Sequence, residues 1–250
     1  MEQKTIREKI RALADKKTYT LADLRTLTEI LRSPEGCPWD REQTHQSIRN
    51  DLIEECYEVV EAIDNADPVL LREELGDVLF QVYFHARIEE EAGRFSIDEV
   101  AGDICAKMIY RHPHVFGNTV AENSEKVLEN WEKLKKAEKH RDTVRASMDA
   151  VPHMLPALMR AQKIAGKAIK DEYDFGTDEK IRVQMENAVR VAFDPDKEPA
   201  EKETALAKLS FFAALQSKKL GGDLEGALQK ETTEFIYTYK NTHHMEENHE

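Results

Sequence analysis

Two acidic pairs, Glu55-x-x-Glu58 and Glu74-x-x-Asp77, sit in neighbouring stretches of helical period, each pair against the apolar stripe of its own helix. At about 100° per residue, Ile48, Leu52, Cys56, Val59 and Ile63 fall within roughly 80° of one another; Glu55 lies beside that sector, Glu58 about 60° further round, and Glu54 and Glu61 point away. In the second stretch Glu74 and Asp77 fall inside the sector of Leu70, Val78, Gln81, Phe84 and Ile88. An ionised carboxylate deprived of water is costly, so four together must repel, take up protons or recruit a cation. All-oxygen ligation favours Mg²⁺, with Mn²⁺ as its substitute, over zinc. With 49 Asp and Glu among 250 residues, one acidic i, i+3 pair is ordinarily a solvated face. Two pairs on the apolar sides of consecutive helices are a stronger signal than chance spacing supplies.

The rest of the chain reads as helix. Thr20 with Asp23 opens one carrying Leu24, Leu27, Ile30 and Leu31, which stops before Ser33-Pro34-Glu35-Gly36. A loop, Cys37-Pro38-Trp39-Asp40, follows. The two acidic helices are expected over residues 44–65 and 68–91, with Pro68 suited to a first turn and Gly93 to a stop. Their short joint makes them antiparallel neighbours, which can bring Glu55 and Glu58 opposite Glu74 and Asp77. Ser96 with Glu99 caps a third helix that stops at His112-Pro113, and a fourth is expected over 123–140 with Val127, Leu128, Trp131 and Leu134 on one side. A short extended piece at 114–116 is the one exception. Between 141 and 156 the pattern breaks, which places the boundary to a second unit there. Helices are then expected over 157–170, 180–193, 202–219 and 224–240, before a disordered acidic and histidine-bearing tail at 241–250.

Charge and cysteine content narrow the class. A formal charge of −13 disfavours a protein that tracks along nucleic acid, yet leaves room for a small nucleotide held through a metal. Residues 1–17 carry no apolar signal core and no run of apolar residues is long enough to span a bilayer, so a cytoplasmic protein without a membrane partner is expected. Cys37, Cys56 and Cys105 form neither a disulfide framework nor a zinc ribbon, and Cys56 is expected in the core.

For a substrate, Lys107 and Arg111 at i, i+4 share a helix face and could grip a polyphosphate. Trp39, in a Pro-bounded loop, is the better stacking candidate for a base; Trp131 at helical spacing with Leu128 and Leu134 fits core as well as it fits stacking.

Four ordered motifs now carry a resemblance: Cys37-Pro38-Trp39-Asp40-x-x-Gln43-Thr44, Glu54-Glu55-x-x-Glu58, Glu73-Glu74-Leu75-Gly76-Asp77 and Arg111-His112-Pro113-His114-Val115-Phe116. Together they resemble the MazG family of nucleoside triphosphate pyrophosphohydrolases. The resemblance implies an all-α fold of tandem helical units, four-helix packing completed by oligomerisation, most simply a homodimer, and Mg²⁺-dependent cleavage of NTP to NMP and pyrophosphate. It makes Glu55, Glu58, Glu74 and Asp77 metal ligands with Glu54 a nearby acid, so Glu54 and Glu58 are the candidates for general base. It assigns the active domain to 1–145. Over 155–240 the repeat departs from the pattern: Met185-Glu186-Asn187-Ala188-Val189 and Ala205-Leu206-Ala207-Lys208 stand where the ligand motifs belong. Only Glu186 remains, expected in an ion pair with Lys208, and this half reads as a degenerate copy. The rival readings are a non-catalytic helical nucleotide sensor and a related pyrophosphohydrolase specific for one nucleotide. A di-iron bundle would want Glu-x-x-His on facing helices, and Val82 stands three residues before His85.

Overall fold

A computed structural model describes residues 5–120, 122–138 and 144–244, and among these every regular element is helical. Cα packing divides the chain into two compact units, Met1–Val127 and Leu128–Glu250. The division falls inside a helix, N-terminal to the break in pattern at 141–156.

The first unit holds α1 (Ile6–Ala14), α2 (Leu21–Leu31), α3 (Pro38–Glu42), α4 (Arg49–Asp64), α5 (Pro68–Glu91), α6 (Ile97–Arg111) and α7 (Pro113–Phe116). Local chemistry sets the ends. Thr20 with Asp23 and Ser96 with Glu99 form capping boxes. The Asp67 carboxylate accepts from the amides of Val69 and Leu70, and Pro68 occupies the first turn of α5. Between α4 and α5 lie only three residues, with Ala66 in the left-handed region at φ 52°, so the two helices fold back on each other as an antiparallel hairpin. Helices α2 and α6 pack on α5, and α1 on α2. Ile30, Ile48, Ala62, Phe84 and Ala86 are buried.

Three local expectations are corrected. Cys37 caps a five-residue helix rather than entering a loop, and residues 113–116 form α7 rather than an extended piece, in each case with proline at the first position, where its fixed φ favours a helical turn. Cys56 is exposed, not core. Helix α4 packs chiefly on α5 among the described residues, so of its apolar stripe only Ile48 is buried while Ile63 remains 57% exposed.

The second unit holds most of α8 (Ser124–Glu138), then α9 (Val144–Asp149), α10 (Ala157–Lys170), α11 (Asp178–Ala192), α12 (Pro199–Lys219) and α13 (Leu224–His244). Its core is Ala165, Ile181 and Leu215, with Phe175, Met185 and Phe212 packed against them. Helix α11 packs on α12, α10 on α12 and α13 on both α10 and α12; the pairing of α10, α11 and α13 with α12 follows that of α2, α4 and α6 with α5, while the α10–α13 contact is particular to this unit. Helix α13 continues to His244, so the first four residues of the expected tail are helical, while residues 245–250 lie outside the described residues. No described helix is long and apolar enough to cross a membrane.

Candidate active site

The α4/α5 hairpin brings its acids together. Glu55, Glu58 and Glu74 each offer a carboxylate oxygen, and the three oxygens lie within 4.8 Å of one another. Glu74 is 9% exposed, while Glu55 and Glu58 are half-buried. Asp77, one turn beyond Glu74, is exposed at the margin, and its charge acts on both Glu55 and Glu74. Glu54 is exposed on the flank of α4 that the helical angles assign to it.

The electrostatics follow from crowding. Desolvation pushes the Glu55 carboxyl up to about 7, helped by a hydrogen bond with Glu58 and by the charges of Asp77, Glu58 and Glu74. Glu74 is raised for the same reasons, desolvation first and Glu58 second. Carboxylates this close repel one another when ionised, and a proton or a cation among them relieves that repulsion. The donor set is all carboxylate, and three oxygens on a rigid hairpin fit a hard divalent ion.

Of the other sequence candidates, Lys107 is half-buried and Arg111 is buried at the end of α6, with 6% exposure. Trp39 is 61% exposed on α3. Trp131 lies on α8 in the second unit, half-buried. In the second unit Glu186 pairs with Arg182, one turn earlier on α11, instead of with Lys208. The helical i, i+4 spacing explains this: the arginine is already in reach on the same face.

A polar network that spacing did not reveal runs beside the hairpin. Arg32, at the end of α2, donates to the carbonyls of Asp40 at 2.7 Å and Gln43 at 3.1 Å, pairs with Glu91 at 2.9 Å and lies 5.3 Å over the Phe84 ring. His45 meets His85 edge to edge, with ring centroids 5.0 Å apart and planes inclined by 12°, and also meets Glu89, which Arg94 grips from the other side. Hydrogen bonds from Arg94 and His45 hold the Glu89 carboxyl down at about 2. No local motif signals a pairing across 40 residues.

Comparison with known proteins converges on the same segment. A family model described as the MazG nucleotide pyrophosphohydrolase domain matches residues 43–116, which include the four acids, Lys107 and Arg111 but neither tryptophan. The nucleoside triphosphate pyrophosphohydrolase/pyrophosphatase MazG of Thermotoga maritima is 38% identical over 218 residues, 87% of this chain and 83% of that protein. The nucleoside triphosphate pyrophosphohydrolase of Escherichia coli K12 is 39% identical over 217 residues, 85% of this chain and 82% of that one. A mycobacterial relative of the same name, from Mycolicibacterium smegmatis, is 44% identical over 149 residues, covering 59% of this chain and 45% of its own length.

Proposed function

Because the chain belongs to the MazG family of nucleotide pyrophosphohydrolases, we propose that it hydrolyses nucleoside triphosphates to the monophosphate and pyrophosphate in a divalent-metal-dependent reaction centred on the α4/α5 hairpin. The observation that carries this reading is the convergence of Glu55, Glu58 and Glu74 within 4.8 Å, with Asp77 adjoining, inside the matched segment.

Glu55, Glu58, Glu74 and Asp77 would hold Mg²⁺, or Mn²⁺ in its place, and the bound ion supplies charge neutralisation on the phosphate oxygens. Lys107 and Arg111 hold the outer phosphates by charge-assisted hydrogen bonds. A water molecule adds to phosphorus as the anhydride bond between the first and second phosphates breaks, pyrophosphate leaves, and Glu58 or Glu54 takes the proton of that water. Trp39 lies against the base or sugar, its exposed ring free for stacking that tolerates every base; Trp131 is the alternative.

Turnover belongs to the first unit. Ala205 and Lys208 occupy ligand positions in the second, and Glu186 is already neutralised by Arg182. The second unit keeps the helix pairing without the chemistry, which makes it a degenerate copy. The reading further takes the protein to be a cytoplasmic homodimer, since Ile53, Tyr57 and Val60 of α4 and Leu75 of α5 leave an apolar face uncovered within one chain.

A screen of pure NTPs and dNTPs with Mg²⁺, reading pyrophosphate against orthophosphate, tests the reaction. Pyrophosphate released in step with NMP is the expected result. Binding without turnover for every nucleotide would favour a sensor, and turnover of one nucleotide alone would favour a dedicated pyrophosphohydrolase.

A further inference from the structure

We propose that His45 and His85 form a one-proton latch that holds the Trp39-bearing helix α3 and the turn after it on α5, making both histidines positioning residues for the nucleoside end of the site. The substrate part of this inference rests on the reading of Trp39 as a nucleoside contact.

The geometry leaves room for one hydrogen. His45 Nδ1 and His85 Nδ1 are 2.7 Å apart, with the rings inclined by 12°. Two proton states satisfy this contact. In the neutral pair His85 Nδ1–H donates to His45 Nδ1 while His45 Nε2–H donates to Glu89. With one added proton His45 donates from both nitrogens, to Glu89 and to His85, and His85 carries its hydrogen on Nε2. A second added proton sets N–H against N–H and positive charge against positive charge, so the contact must open.

The surroundings make that third state costly without closing off the first two. Glu89, held down at about 2 by Arg94 and His45, faces the far side of His45. Burial and the charge of His45 hold His85 below the usual histidine range. The nearby cations are engaged elsewhere: Arg94 from the α5–α6 connection with Glu89, Arg32 from α2 with Glu91, and Arg87 of α5 with Glu90 and Glu91.

The latch acts on α3 through the backbone of the turn. Gln43 Nε2 donates to the Trp39 carbonyl at 2.9 Å, and Gln43 Oε1 accepts from the Ser47 hydroxyl at 2.7 Å. Thr44 and Ser47 close the turn around His45, with the Thr44 amide 2.9 Å from Ser47 Oγ. Helix α3 and the turn are thus one hydrogen-bonded piece that, among the described residues, meets α5 first through Arg32, which donates to the Asp40 and Gln43 carbonyls and pairs with Glu91, and second through His45, which meets His85 and Glu89. Opening the second loosens the segment that carries Trp39.

The test combines NMR titration of the imidazoles in the full-length protein with steady-state kinetics in Mg²⁺. The expected result is coupled titration, one ring of the pair resisting protonation well below the ordinary midpoint of about 6.5, together with a KM for NTP that holds while the first proton adds and rises roughly three- to tenfold only as pH falls through that second, lower midpoint. His85→Gln keeps a side chain that accepts from or donates to His45 in either state, so it should retain the neutral-pH KM and show a smaller acid rise than the wild type at saturating Mg²⁺. His45→Ala should raise KM across the range while sparing kcat. The part of the tryptophan emission removed by Trp39→Phe should change on acidification in the wild type and hold steady in His85→Gln. Two independent titrations with ordinary midpoints, or an acid rise in KM at saturating Mg²⁺ as large in His85→Gln as in the wild type, would overturn the latch. If Trp39→Ala leaves KM unchanged, the nucleoside role of Trp39 fails instead, and the coupled titration with the emission change still decides whether the latch exists.

Discussion

Glu55 and Glu58, one turn apart on α4, bring carboxylate oxygens within 4.8 Å of each other, a crowding that favours a proton on Glu55. That proton is a stability term with a definite sign. Glu55 is raised in the folded protein from its ordinary 4.5 to about 7. The metal-free fold therefore binds more protons than the unfolded chain between those values, and the contribution is complete below 4.5 and lost as pH rises through about 7. The expected outcome in a chelator is a Tm that falls from about pH 5 to about pH 8, with Mg²⁺ lifting the alkaline end because it replaces the proton. Scanning calorimetry with and without Mg²⁺ checks this, and a Mg²⁺ effect equal at both ends of the range would mean that the ion does not bind at the cluster.

Removing one cluster ligand should nearly abolish turnover. Glu74→Gln and Asp77→Asn each preserve shape while deleting a charge, so Mg²⁺-dependent pyrophosphate release should drop by at least about a hundredfold with helical content by circular dichroism unchanged. Glu186→Gln should stay within about a factor of two, because its exposed pair with Arg182 contributes little. Full activity in either cluster variant would remove the assignment, and a tenfold loss in Glu186→Gln would move chemistry into the second unit.

The uncovered apolar face predicts association. Ile53 is 45% exposed, Val60 52% and Leu75 51%, on the hairpin that also carries the acids. Light scattering at micromolar concentration should give about twice 28.8 kDa, and Val60→Glu, which puts a charge in that face, should shift the mass toward one chain. A mass near one chain for the unaltered protein would rule out the dimer.

How much of this was legible in sequence depends on how local the cause is. Helices α5 and α6 begin where Asp67-Pro68 and Ser96 with Glu99 place them, because caps act within one turn. The meeting of Glu55 and Glu58 with Glu74 was legible too, since a three-residue joint leaves two amphipathic helices no other arrangement. Helix α4 starts later than Thr44 because Thr44 and Ser47 satisfy each other's amides in a turn, at 2.9 and 3.2 Å, instead of capping a helix. Cys56 was misplaced because an apolar sector says which residues want cover, not which of them one chain supplies. The His45–His85 contact and the Arg32 anchor join residues 40 and 59 apart, and no period or spacing encodes such pairs.

Arg111 and Trp39 should fail in different ways. Arg111 is buried at the end of α6, so Arg111→Ala removes packing and, on the proposed role, a charge-assisted clamp on phosphates whose charge shifts during reaction; kcat/KM should fall roughly ten- to a hundredfold for every nucleotide alike. Arg111→Lys separates the two effects, since it keeps charge and stem while losing the planar fork. Trp39 is 61% exposed, so Trp39→Ala should leave Tm unchanged and raise KM by an amount that depends on the base, stacking being worth about 1 to 3 kcal/mol and changing little between ground and transition states. Both variants measured on one purine and one pyrimidine triphosphate distinguish the roles. An unchanged KM in Trp39→Ala for both substrates, alongside a raised one in Trp131→Ala, would transfer the stacking role to Trp131 on α8.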